Sequence, residues 1–209
     1  MDNSANPKQI VEDGYNRAAL DYARLEGDVK WPRMRWLRKL LGLLEPGASV
    51  LDLGCGSGVP ADIEIAKQHK VIGIDISQAQ IELACRNVPG GSFIRADAGT
   101  IELPEATFDA VVSFYTIEHL PREEHAVLLG RIHRWLKTSG YLLISMEAAD
   151  CPGIYGKWLG VPMFMSCYDP DTMRQMIQMA GFELLETAIE AQVEGSKEIP
   201  YLWVIGQKK

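Results

Sequence analysis

The chain has 209 residues, 47% apolar and 23% charged, so it is too apolar for a disordered protein and long enough to bury the core of one domain. No apolar run of 18 residues predicts a membrane span, and the polar residues 1–4 are unlike a secretory or transit segment. A net charge of −7 without a long Lys/Arg run argues against nucleic acid as a partner.

The cysteines and histidines lack the spacing of metal ligands. Cys55, Cys85, Cys151 and Cys167 are far apart, and no Cys-x-x-Cys pair occurs. We therefore expect neither a zinc site nor a disulfide framework. The sequence predicts reduced thiols in a cytoplasmic protein.

The first 45 residues predict two helices. Residues 6–9 have the pattern of a capping box with a first-turn proline, and the helix that they open should end near Gly27. Pro32 opens a second helix with an apolar stripe, which Pro46 should stop. We expect residues 1–45 to form a helical cap.

From residue 49 onward, short apolar strands alternate with helices. Because the runs are continuously apolar, both faces of the sheet should be covered by helices, as in a parallel sheet. The connection around residues 194–197 is too short for a parallel crossover, so the final strand should run antiparallel. These features predict an α/β fold with a doubly wound, Rossmann-like seven-stranded sheet. The strands are predicted at residues 49–53, 70–75, 92–96, 110–114, 141–146, 182–191 and 201–206.

A glycine-rich turn follows the first strand. Gly54, Gly56 and Gly58 allow a tight turn and close approach of the backbone to a ligand. A phosphate loop would need Gly-Lys-Ser/Thr, and a dinucleotide fingerprint would need glycine in place of Val59. Asp52, just inside the strand end, suits a cationic ammonium and repels a pyrophosphate.

Two further acids follow the next predicted strands. Asp75 can accept both hydroxyls of an unphosphorylated ribose, and Asp97 can accept the exocyclic amino group of a purine. The predicted ligand therefore combines an ammonium, a ribose and a purine without phosphate. S-adenosylmethionine has this composition.

Four segments now resemble the successive motifs of class I S-adenosylmethionine-dependent methyltransferases, most closely the small-molecule branch. They are Val-Leu-Asp-Leu-Gly-Cys-Gly-Ser-Gly at 50–58, Gly-Ile-Asp-Ile-Ser at 73–77, Ala-Asp at 96–97 and Phe-Asp-Ala-Val-Val-Ser at 108–113. The resemblance extends over residues 10–207. It implies that Asp52 and the backbone of Gly54 and Gly56 hold the methionine part, Asp75 the ribose and Asp97 the adenine amine. The other cofactor contacts that it implies are Tyr15, Tyr22, Ile76, Ala98 and Phe114.

The resemblance also directs attention to the residues after the fourth and fifth strands. In the family the fourth strand ends on the methyl-donor side, where His119 could serve as general base, with Glu118 as its rival. Alternatively, His119 caps a helix or lines the sulfonium pocket. Glu147 could bind a substrate amine or simply be solvated. For Tyr15 and Tyr22, which lie seven residues apart, plain core packing is the alternative to cofactor contact.

Residues 148–168 are expected to form a lid inserted as a long loop. Their methionines and aromatic residues suit an apolar or aromatic small molecule. The alternative is a small satellite core against the N-terminal helices. With Glu147, the predicted substrate-binding residues are Tyr155, Trp158, Phe164 and Tyr168.

Taken together, the sequence predicts one domain over residues 1–209 that transfers a methyl group from S-adenosylmethionine to an oxygen, nitrogen or sulfur atom of a small molecule. Two other readings stay open. A nicotinamide-dependent oxidoreductase shares the fold, although Asp52 and Val59 count against it. A non-catalytic S-adenosylmethionine-binding partner subunit would share the cofactor motifs without the reaction.

Overall fold

A computed structural model describes residues 6–28, 32–194 and 197–209. The polar start at residues 1–4, part of the predicted cap and the tip of the last connection lie outside the described residues. The cap segment contains helices α1 (Pro7–Asp28) and α2 (Arg33–Leu41). Helix α2 ends at Leu41 rather than at Pro46, because Gly42 caps it and residues 43–47 turn into the first strand.

A seven-stranded sheet forms the centre of the molecule, with strand order β3-β2-β1-β4-β5-β9-β8. The first five strands are parallel, whereas β9 runs antiparallel to both β5 and β8. The predicted fold class is therefore confirmed, and the winding reverses between β1 and β4. The strands are β1 (Ser49–Leu53), β2 (Lys70–Asp75), β3 (Ser92–Arg95), β4 (Phe108–Phe114), β5 (Leu136–Glu147), β8 (Phe182–Glu194) and β9 (Lys197–Lys208).

Helices cover both faces of this sheet, as the continuous apolar strands require. Alternate residues of β1 separate the two cores: Leu51 and Leu53 belong to the cluster with α5 and α6, whereas Val50 packs with α2 and α3. A one-turn 3₁₀ helix (Ile117–His119) follows β4. The remaining helices are α3 (Ala61–Ile65), α4 (Gln78–Asn87), α5 (Arg122–Trp135) and α6 (Pro170–Met179). Among the described helices, none is long and apolar enough to cross a bilayer.

The predicted lid is a β-hairpin, so the expectation of a long loop was wrong. Strands β6 (Cys151–Trp158) and β7 (Val161–Cys167) pair antiparallel outside the main sheet. Leu159 and Gly160 form the two-residue turn with φ of 47° and 77°. Two positive φ values give the turn that fits the twist of a tight hairpin.

Helix α1 packs against β7 and lies over the carboxyl end of the sheet. Val11 and Ala18 form a small core with Val161, Met163 and Phe164 of the hairpin. A side-chain Cβ at Gly14 would lie 2.7 Å from the carbonyl oxygen of Pro162, so the contact requires glycine. The cap and the hairpin together close the edge of the sheet where the predicted site residues lie.

Candidate active site

A first cavity lies at the carboxyl ends of β1, β2 and β4, beneath α1, and has an empty volume of about 610 Å³. This is the edge at which doubly wound sheets bind ligands. Nine of the ten residues predicted to contact the cofactor line it: Tyr15, Tyr22, Gly54, Gly56, Asp75, Ile76, Asp97, Ala98 and Phe114.

The glycine turn brings backbone, rather than side chains, to the cavity. Gly54 and Gly56 have φ of 75° and 54°, a left-handed conformation that favours glycine. A Cβ at Gly54 would lie 2.0 Å from the hydroxyl oxygen of Thr116, so no side chain fits there. The N–H of Gly54 donates to the carbonyl of Ile74 at 2.7 Å, which fixes the turn against β2.

Asp75, at the end of β2, joins two parts of the site. Its Oδ2 accepts from the N–H of Gly56 at 3.0 Å, and its Oδ1 accepts from the N–H of Ser77 at 2.8 Å. The carboxylate therefore fixes both the glycine turn and Ser77, the residue that precedes α4. Each carboxylate oxygen has a second lone pair, so Asp75 can also accept ribose hydroxyls.

Asp97 has an unexpected neighbour. Its Oδ1 accepts from the N–H of Gly99 at 2.8 Å, while its Oδ2 accepts from the ammonium of Lys8 at 2.8 Å. Lys8 also pairs with Glu124 of α5, so it bridges the cap helix and the main domain. Burial lowers the pKa of Lys8, but the hydrogen bonds to the two carboxylates outweigh it and raise the pKa above its ordinary value.

Asp52 does not line the described cavities. It is 2% exposed and lies within β1, where it pairs in register with Gly73 of β2 and Val112 of β4. Because side chains alternate along a strand, Asp52 lies on the same face of β1 as Val50, where its side chain is buried. Its predicted contact with the methionine ammonium stays a prediction.

The first cavity fits S-adenosylmethionine. The carboxylates of Asp75 and Asp97 and several apolar side chains line it, a combination that suits a ligand with hydroxyl and amino donors and an apolar ring. Gly54 and Gly56 present backbone without side chains to the cavity, so a ligand can approach the backbone closely there. A cationic ligand also meets the two carboxylates Asp75 and Asp97 favourably.

A second cavity, of about 780 Å³ empty volume, adjoins the first beneath the hairpin. Four side chains line both cavities: Tyr15, Tyr22, Tyr115 and His119. The predicted residues Glu118, Glu147 and Trp158 line the second cavity alone.

His119 lies at the junction of the two cavities in a fixed tautomer. Its Nδ1 is 2.8 Å from the carbonyl oxygen of Phe164, which can only accept, so Nδ1 carries the proton. Its Nε2 is therefore the acceptor for the hydroxyl of Tyr15 at 2.8 Å. Burial lowers the pKa of His119, and the hydrogen bond to Phe164 offsets this only in part. The imidazole is neutral, as a general base requires.

Glu118 and Glu147 form an acidic side of the second cavity. Glu118 is 4% exposed, and its Oε2 accepts from the N–H of Glu147 at 2.7 Å. Burial, and then the charges of these two carboxylates, raise the pKa of the neighbouring Cys167 to about 12. Two carboxyl groups therefore lie close together on this side of the second cavity.

Three of the predicted substrate-binding residues lie outside the second cavity. Residues alternate between the faces of a hairpin, so Ile154, Gly156 and Trp158 share the cavity face, whereas the side chain of Tyr155 packs against Phe164. Tyr168 contacts the guanidinium of Arg122, with the carbon at 4.4 Å from the ring centre. Val161 and Met163, which pack against α1, lie on the same face of the hairpin as Gly156 and Trp158, so this face contributes both to the small core and to the lining of the second cavity. The substrate-binding role of the hairpin stays a prediction.

Several lining residues were not predicted from the sequence. Tyr115 and Thr116 directly follow β4, so their place at the carboxyl end was a usable signal. Tyr201 pairs with Glu147 because β9 is antiparallel and begins at the edge where β5 ends. Lys8 gave no signal, since its contact with Asp97 joins positions 89 residues apart.

A doubly wound sheet with a glycine turn after β1 and acids after β2 and β3 defines a Rossmann-like nucleoside-binding fold. A family model of methyltransferase domains matches residues 25–187. The chain therefore belongs to the methyltransferase domain family, and the assignment to the class I S-adenosylmethionine-dependent methyltransferases is confirmed.

Known proteins of this class are similar over different lengths. Phosphoethanolamine N-methyltransferase from Triticum aestivum is 34% identical over 66% of this chain and 28% of its own length. Phosphoethanolamine N-methyltransferase 3 from Arabidopsis thaliana is 34% identical over 67% of this chain and 30% of its own length. The chain thus spans less than a third of these relatives.

A solved structure agrees in fold over nearly the whole chain. Burkholderia thailandensis 1,6-didemethyltoxoflavin-N1-methyltransferase, solved with its substrate and S-adenosylhomocysteine, has a TM-score of 0.75 and 20% identity. It covers 98% of this chain and 91% of its own.

Proposed function

We propose that the chain binds S-adenosylmethionine in the first cavity and transfers the methyl group to a small molecule in the second. The adjacency of the two cavities carries this proposal, because Tyr15, Tyr22, Tyr115 and His119 border both of them. A donor and an acceptor on either side would meet at these four side chains. The names of the relatives, which describe N-methylation of small molecules, support the same reading.

The proposed donor contacts follow the lining of the first cavity. Asp75 holds the ribose, Asp97 the adenine amine, and the backbone of Gly54 and Gly56 the methionine part, with Asp52 behind it. When bound, S-adenosylmethionine supplies an electrophilic methyl group and a neutral leaving group. The protein then has to align the acceptor and exclude water, and such positioning supplies about 7–11 kcal/mol. Residues 1–45 and 148–168 would serve as the cap and lid of one domain.

His119 is the proposed general base, with Glu118 as the alternative. Because Nε2 accepts the Tyr15 hydroxyl in this structure, His119 gains a proton only when Tyr15 turns away or passes on its own proton. A base is needed when the acceptor is a hydroxyl or an ammonium group, and it increases the reaction rate by about 10²–10⁴-fold.

The proposed setting is the cytoplasm, with a small molecule and not nucleic acid as the partner. All four cysteines are free thiols, which suits a reducing compartment. The net charge of −7 disfavours binding to a polyphosphate chain.

Single-turnover methyl transfer and calorimetric donor binding test the proposal together. His119→Gln and Glu118→Gln should be made separately, with Glu105→Gln on an exposed loop as the matched control. The variant that removes the base should lose about 10²–10⁴-fold in rate while its donor Kd changes less than about threefold. Full turnover in both variants would contradict a general base.

The same measurements separate the two alternative functions. Saturable NADH binding without S-adenosylmethionine binding would favour the oxidoreductase. Binding of S-adenosylmethionine without methylation of any acceptor would favour the non-catalytic partner subunit.

A further inference from the structure

The titratable side chains that line the second cavity are mostly acidic. Glu118 is buried and Glu147 is half-buried beside it. Of the lining side chains that the structure describes, only Lys157 is cationic at neutral pH, and it is exposed. Water and salt screen an exposed charge far more than a buried one, so the two carboxylates dominate.

Aromatic rings form the walls of the same cavity. Tyr115 and Tyr201 pack edge to face with ring centres 4.8 Å apart, and Tyr22 and Trp158 do so at 5.2 Å. Ring faces attract an organic cation, and the attraction grows as the cation loses water. Carboxylates combined with aromatic walls suit an ammonium group.

The same lining is unfavourable to a phosphate ester. Proteins bind phosphate groups with guanidinium or ammonium groups or with backbone N–H groups at a helix N-terminus. Among the described lining residues, a phosphate would face Glu118 and Glu147 with the exposed Lys157 as the one cationic side chain. The guanidinium of Arg33 contacts the ring of Tyr115 but does not line the cavity. The lining of the second cavity is therefore unfavourable to phosphoethanolamine, the compound that appears in the names of the plant relatives.

We propose that the acceptor is an organic amine that carries no phosphate, and that it binds as an ammonium between the Glu118–Glu147 side and the aromatic walls. This proposal rests on the proposed function. The bound ammonium first gives one proton to His119 or Glu118. The nitrogen lone pair then forms the N–C bond while the C–S bond breaks, which leaves a neutral thioether and an N-methylammonium product.

Three ligands of one size and different charge test the proposal. The protein is first saturated with S-adenosylhomocysteine and then titrated with 2-phenylethylamine, 2-phenylethanol or phenylacetate. We expect the amine to bind at least about tenfold more tightly than the other two, as an interaction of roughly 1.4 kcal/mol requires. Ethanolamine should likewise bind more tightly than phosphoethanolamine. Equal or tighter binding of phenylacetate or phosphoethanolamine would overturn the proposal.

Variants identify which charges cause the selectivity. Glu147→Gln should reduce amine affinity at least about fivefold and leave the alcohol unchanged, because only the charge is lost. Glu105→Gln, 74% exposed in its side chain, should change neither ligand. Lys157→Gln should not weaken the amine, since it removes a like charge. Unchanged amine binding in Glu147→Gln, or a tenfold loss in Lys157→Gln, would overturn the assignment.

Two readouts keep this test separate from that of the proposed function. Binding of S-adenosylhomocysteine reports on the first cavity alone. A folded protein that does not bind it contradicts the proposed function. A protein that binds it and yet prefers phenylacetate contradicts only the amine proposal.

Discussion

Asp75 shows how one carboxylate can hold a loop and also line a ligand cavity. It holds the N–H groups of Gly56 and Ser77 and still lines the cavity. Sequence reasoning placed it at the end of the second strand, and the register of β2 puts it there. The hydrogen bonds to the glycine turn were not predictable, because they depend on how that turn folds back over β2.

Asp75→Ala should weaken S-adenosylhomocysteine binding about 10–100-fold. In the proposed binding mode the variant loses charged hydrogen bonds to the ribose, each worth about 1.5–3 kcal/mol, and it also loosens the glycine turn. Calorimetry measures the loss, and circular dichroism checks the fold. Asp21→Ala, whose side chain is 66% exposed on α1, is the control and should leave the affinity unchanged. A folded Asp75→Ala protein with parental affinity would remove Asp75 from the donor site.

At the scale of elements, the docking of α1 on the hairpin closes the site. Gly14 is the point of closest approach, since an added Cβ would meet the Pro162 carbonyl at 2.7 Å. Gly14→Ala should lower the free energy of unfolding by about 1–3 kcal/mol through overpacking. It should also speed donor dissociation, because the cap is pushed away from β7.

Gly130→Ala provides the matched comparison in α5. An added Cβ there meets nothing within 4 Å, so the change should raise the free energy of unfolding by about 0.5–1 kcal/mol. Urea unfolding and stopped-flow displacement of S-adenosylhomocysteine measure both variants. Equal effects of the two substitutions would show that the α1–β7 contact is not tightly packed.

Lys8 connects α1 to the main domain beside Asp97, at the end of the first cavity proposed to hold the adenine. Lys8→Ala removes partly buried ion pairs with Asp97 and Glu124. A loss of about 1 kcal/mol corresponds to roughly fivefold faster dissociation of S-adenosylhomocysteine. Lys67→Ala breaks the exposed pair with Glu64 and should leave this rate unchanged. Slower dissociation in Lys8→Ala would mean that Lys8 competes with the ligand for Asp97.

The hairpin marks the limit of element prediction in this chain. Its aromatic composition suggested a lid, but the paired strands and the turn at Leu159–Gly160 were missed. Because side chains alternate on a strand, only one face of the aromatic cluster reaches the cavity. A composition-based reading could not assign Trp158 to that face and Phe164 to the other.

The whole molecule should lose stability below neutral pH. Burial lowers the pKa of His119 and of His125, so both are neutral in the folded state. The unfolded chain takes up more protons once the pH falls below about 6.5, and the free energy of unfolding then decreases. Stabilisation from carboxyl groups with lowered pKa, such as Asp109, is lost only at more acidic pH.

Urea unfolding at pH 7.5 and 5.5 tests this dependence. The free energy of unfolding should fall by about 1–3 kcal/mol between the two values. His125→Gln should be less stable at both values and show a smaller difference between them, because one titrating group is gone. If the free energy of unfolding changes between the two pH values as much in this variant as in the parent protein, His125 is protonated in the folded state at pH 5.5.

The amino-acid sequence was sufficient to predict the sheet, the order of its motifs and most residues that line the first cavity. These follow from local patterns: continuous apolar strands, a glycine-rich turn and acids at strand ends. The surroundings of Asp52, Lys8 and His119 became known only from the folded molecule. These surroundings involve residues far apart in the chain. The burial of Asp52 and the hydrogen bond between His119 and Tyr15 both depend on how helices and strands pack against one another. The second cavity likewise forms only when elements dock, since α1, the hairpin and β9 each supply one of its walls.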